Sequence, residues 1–136
     1  MPAMNASTGT ALSAAQNDQE QEAALLDRRC IEEIRFIEKA SGRNDVFSGF
    51  VVTLERNLAS FAASFSDCIA RGDSAGATRA AHTLKGACHQ LGAQALGDLF
   101  ADIERSAKAG DYAEAKRTFD GGGSLIARSL LALKQA

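Results

Sequence analysis

Five residues of one short stretch carry groups that can do chemistry, Thr78, Arg79, His82, Lys85 and His89, around Gly86, which has no side chain. A neutral imidazole is nucleophilic near pH 7, because its unperturbed pKa is about 6.5. Lys85 lies one helical turn beyond His82 and can offset an anion held on the ring. Glycine in mid-helix is destabilising, so Gly86 points to a position where something approaches the backbone closely. The stretch suits transfer of an anionic group through an accessible histidine. The plainer reading is a solvated polar face that happens to include histidine.

Other chemistries fit less well. His82 and His89 are separated by about 10 Å along a helix axis. Zinc-binding pairs on one helix sit at i,i+4. No serine or cysteine nucleophile is placed beside either histidine by spacing alone.

A helical wheel stepped at about 100° per residue sets His82 opposite Ala80, Leu84, Ala87, Cys88 and Leu91. These five form the expected core stripe. Lys85, Gly86 and His89 fall near His82, with Thr78 and Arg79 on the same face.

The elements that must hold this face are helices. Pro2 is the only proline, alanine and leucine are abundant, and strand-like alternation is absent. A helix is expected over Asp27 to Lys39, with Ile31, Ile34 and Phe36/Ile37 as its apolar face, ended by Ser41-Gly42. Asn44 or Asp45 caps a long helix to about Arg71. Phe47, Phe50, Val51, Leu54, Leu58, Phe61, Phe65, Cys68 and Ile69 recur in it at three- and four-residue steps. Gly72-Asp73 stops it and starts the histidine helix, which Gly92 ends. Gln94 to Ala109 follows, with Leu96, Leu99, Phe100 and Ile103 as its stripe. Gly110-Asp111 precedes a last helix from Tyr112.

Gly121-Gly122-Gly123 weakens that last helix by roughly 1 kcal/mol per glycine relative to alanine. Tyr112, Ala115, Phe119, Gly122, Ile126, Leu130 and Leu133 keep one phase across it. A continuous but weakened, kinked helix is expected, with a loop as the alternative. Close packing on a neighbour would explain the glycines.

The chain of 136 residues is one domain by length, preceded by a small, polar segment over residues 1–22 that reads as a flexible tail or linker. Residues 23–136 form the helical domain. The expected architecture is all-α: an up-and-down antiparallel four-helix bundle with a short additional N-terminal helix. A net charge of -2 argues against nucleic-acid binding. No apolar run is long enough for a membrane span. Cys30, Cys68 and Cys88 fall within apolar-periodic segments and read as reduced thiols of a cytoplasmic protein.

The run "AAHTLKGACHQLGA", Ala80 to Ala93, resembles the signature of histidine phosphotransfer (HPt) domains of two-component phosphorelays. The resemblance extends from about Leu26 to Leu133 and takes in "LDRRCIEEI", "ARGD" and "AKAGD". It implies that His82 is phosphorylated by a receiver-domain aspartate and passes the phosphate to another receiver. It makes Lys85 the neutralising cation and Gly86 the clearance position. It also brings in Glu104, twenty-two positions after the histidine, where some members carry a polar residue that bonds the imidazole. Thr78, Arg79 and His89 are then rim residues facing the partner.

The resemblance implies a carrier, not a kinase, with no cofactor and no metal of its own. The magnesium used in transfer would belong to the receiver. It leaves open a free-standing monomer or the C-terminal module of a hybrid sensor kinase tethered to the inner membrane. The rival classes are a histidine kinase dimerisation bundle, which usually has an acidic residue where Thr83 stands, and a non-catalytic helical adaptor.

Overall fold

The computed structural model describes residues 24–136. The tail expected over residues 1–22 lies outside them. Six helices are ordered α1 Arg28–Ser41, α2 Val46–Ala70, α3 Ser74–Leu91, α4 Gln94–Lys108, α5 Tyr112–Gly121 and α6 Gly123–Gln135, with no strand among the described residues.

Aspartates start several of these helices. Asp27, Asp73 and Asp111 accept from the N–H groups of Arg29, Gly76 and Glu114, satisfying amides that lack a partner within the helix. Gly42 and Gly92 end α1 and α3 in the left-handed region, which a Cβ disfavours. Asp45 stands at the cap position of α2, but its side chain makes no capping bond there. It binds Arg43 instead, at 3.1 Å and 3.3 Å. The α2 amide is capped from another helix: Oε2 of the buried Glu38 accepts the Phe47 N–H at 2.8 Å.

The core is built chiefly from α2, α3 and α4. Phe47, Val51, Leu54, Leu58, Phe61, Phe65 and Cys68 bury one face of α2. Phe50, expected in that stripe, is exposed, and Ile69 is half-buried. Phe61 joins three helices, with ring centroids 4.9 Å from Phe65, 5.1 Å from Phe100 of α4 and 5.0 Å from Phe119 of α5. On α1, Ile31 is buried and Ile34 half-buried, but Phe36 and Ile37 point outward. The inner face of α1 continues through Glu38 instead, because that carboxylate is needed at the start of α2.

The last helix does break. Gly122 closes α5 by donating its N–H to the Phe119 carbonyl at 3.0 Å, and its own carbonyl accepts from Ile126 at the start of α6. Gly122 is also closely packed: a Cβ there would lie 2.6 Å from Cδ2 of Leu99 on α4. The expected continuous helix is therefore two helices that meet at Gly122. The buried face of the second is Ser129, Ala132 and Leu133, rather than Ile126 and Leu130.

Candidate functional site

The histidine helix α3 packs most extensively against α4. Three paired contacts fix them as antiparallel: Ser74 Oγ to the Ala107 carbonyl at 2.6 Å, His82 to Glu104 and His89 to Asp98. Ala77, Ala81, Leu84, Cys88 and Leu91 are the buried face of α3. Ala80 and Ala87, placed in the core stripe by the wheel, are only half-buried. The real stripe is rotated towards Ala81, because α4 lies against that flank. The rotation leaves the His82 side chain 67% exposed but draws Lys85 down to 29%.

His82 Nδ1 lies 3.1 Å from Oε1 of Glu104, and Lys85 Nζ lies 2.9 Å from Oε2 of the same carboxyl. Partial burial pushes the Glu104 carboxyl up, but the contacts to Lys85 and His82 outweigh it and hold the group below the ordinary carboxylate range. An ionised Glu104 is acceptor-only, so the proton between it and His82 belongs on Nδ1. In the neutral ring the lone pair is then on Nε2, which is on an exposed side chain with no hydrogen-bond partner among the described residues.

Gly86 is exposed one turn from His82, and a Cβ there would meet nothing within 4 Å. Arg79 is exposed nearby. Thr78 is half-buried and returns its hydroxyl to the Ser74 carbonyl at 2.7 Å. His82, Lys85, Gly86 and Glu104 thus come together. Thr78 and His89 bond other partners, and the Glu104 carboxyl engages His82 and Lys85 rather than Arg79.

His89 is held in a separate arrangement. Its Nε2 lies 3.1 Å from Oδ1 of Asp98, which also accepts from Gln94 at 3.3 Å. Its ring lies so close over Gly97 that a Cβ there would overlap it. Sequence reasoning missed Gly97, Asp98 and Gln94. The available signal was a glycine inside a helix with an acidic residue beside it.

The cysteines differ from one another. Burial pushes the Cys88 thiol up to about 12, so it is no nucleophile near neutral pH. Cys68 is also buried. Cys30, which falls within an apolar-periodic segment, is half-buried and points its Sγ at the His89 carbonyl, 3.6 Å away. No helix of the described residues is long and apolar enough to cross a membrane.

The described residues are all helical, and they present an exposed histidine that is braced by a carboxylate at one ring nitrogen. The Hpt domain family matches residues 45–136, two thirds of the chain, and the chain belongs to that family. Hpt domains carry phosphoryl groups on histidine in two-component phosphorelays, exchanging them with receiver domains. No match was found among curated proteins or among solved structures.

Proposed function

We propose that His82 carries the phosphoryl group, on Nε2, accepting it from the aspartate of one receiver domain and passing it to another. The observation that carries this reading is the exposed His82 ring, with Nδ1 engaged by Glu104 and Nε2 open. In transfer the Nε2 lone pair attacks phosphorus, the bond from phosphorus to the aspartyl oxygen breaks, and the aspartate leaves as a carboxylate. Lys85 offsets charge on the arriving phosphate. Gly86 leaves room for the receiver's loops, and Thr78, Arg79 and His89 form the rim the receiver meets.

The domain we propose spans residues 23–136, with α2 to α6 arranged as an up-and-down four-helix bundle in which α5 and α6 share one position, and α1 as the additional helix. It acts as a cytoplasmic monomer or as a module of a membrane-tethered hybrid kinase. The test is incubation of the full chain with a receiver domain charged with phosphate. Acid-labile phosphate on the chain, lost in His82→Gln, is the expected outcome. Wild-type uptake by His82→Gln would overturn the assignment.

A further inference from the structure

Charging Nε2 changes what Glu104 faces. Once Nε2 has given its lone pair to phosphorus, the ring is a cation that shares its charge with the Nδ1–H. An imidazolium ordinarily titrates near 6.5. Whether the Nδ1 proton stays decides how the phosphate departs. Discharge to an acceptor oxygen breaks the N–P bond and returns its electron pair to Nε2. With Nδ1 protonated, the leaving group is neutral imidazole. With Nδ1 bare, it is an imidazolate, a far poorer leaving group.

That proton faces a carboxylate 3.1 Å away. We infer that Glu104 retains the Nδ1 proton on phosphorylated His82 and so sets how readily the phosphate leaves, while Lys85, on the other carboxylate oxygen, tempers that hold. The inference rests on His82 being the carrier. Glu104 acts here as a positioning residue, through a nitrogen that does not itself react. An opposite charge this close favours the charged form of its partner, and a nearby cation opposes it.

The charged groups of the packed elements are largely engaged with one another. On α4, Asp102 pairs with Arg105 and Asp98 with His89; across the bundle Glu55 pairs with Lys134, and on α1 Glu38 pairs with Arg35. Arg79 on α3 and Lys108 on α4 are the other cations within a turn or so of the pair along their own helices, and both are exposed. The Glu104 carboxyl itself is shared between His82 and Lys85.

The experiment charges the full chain with phosphoramidate, whose P–N bond breaks with loss of ammonia, and follows the return of phosphate to water by phosphorus NMR across about pH 5 to 9. Glu104→Gln keeps the side-chain shape and removes the charge. Its pH–rate inflection is expected about one unit below that of the wild type. Above the inflection, phosphate loss then slows about tenfold. Lys85→Ala moves the inflection in the opposite direction. Coincident profiles for Glu104→Gln and wild type, or shifts of both variants in the same direction, would overturn the inference. Wild-type amounts of acid-labile phosphate on His82→Gln would overturn the underlying site assignment instead.

Discussion

The Glu38 carboxylate caps the helix after its own, at Phe47. Its Oε2 takes the Phe47 N–H at 2.8 Å and its Oε1 takes Arg35 at 2.9 Å, while the Arg35 guanidinium lies 4.5 Å above the Phe47 ring centroid. The backbone N–H of Phe47, then the Arg35 side chain, hold the Glu38 carboxyl below the ordinary glutamate range. A carboxylate depressed on folding contributes stability that is present above its unfolded pKa and is lost as pH falls through its folded one. Denaturant titrations from neutral pH down to below the ordinary glutamate value are expected to show a shallower acid loss in Glu38→Gln than in wild type, from a lower starting stability. Parallel curves would contradict the capping role.

Two histidines on one helix separate the site from its neighbour. His82→Gln is expected to abolish receiver-dependent phosphate uptake, and His89→Gln to retain it, because Asp98 already occupies Nε2 of His89. Inactivation by His89→Gln would show that the wrong histidine has been assigned.

Lys85→Ala is expected to slow receiver-to-chain transfer about tenfold, the kinetic equivalent of one lost charge-assisted contact. Its helical circular dichroism should match the wild type, since Lys85 lies off the buried face of α3. A loss of helix would mean that the pair with Glu104 is structural.

Gly86→Ala separates stability from recognition. The added methyl meets nothing within 4 Å, so the variant is expected to gain about 0.5–1 kcal/mol in helix stability. Transfer should slow if a partner occupies that space. A more stable variant with unchanged transfer would remove Gly86 from the site.

The glycine run offers a local comparison. A methyl group added at Gly121 would stand in open space, whereas one at Gly122 would press on Leu99. Gly121→Ala is expected to raise stability by about 0.5–1 kcal/mol. Gly122→Ala should gain less or lose, as Leu99 has to give way. Thermal unfolding of the two variants checks the order.

Helix positions were legible because their signals are local. The aspartate caps and the Gly42 and Gly92 stops need only near neighbours, and the α2 stripe is carried by large side chains. Choices made by a second helix were not legible. Ala80 and Ala81 look alike in sequence, and only the placement of α4 decides which is buried. Asp45 reads as a cap, yet Glu38 reaches in from α1 and Arg43 draws Asp45 away. Glu104 entered through the family resemblance rather than through any spacing. That its carboxyl is shared between His82 and Lys85 depends on the antiparallel register of α3 and α4.

The turn at Gly92 has a mechanical consequence. Its carbonyl accepts the Asp27 N–H at 2.7 Å, and its Cα is backed by Ile31 and Cys30, so the first turn of α1 is seated on the end of the histidine's helix. Leu25 and Leu26, just ahead of Asp27, are buried as well. This joint ties the start of α1 straight to the helix that carries His82, in addition to the path through α2.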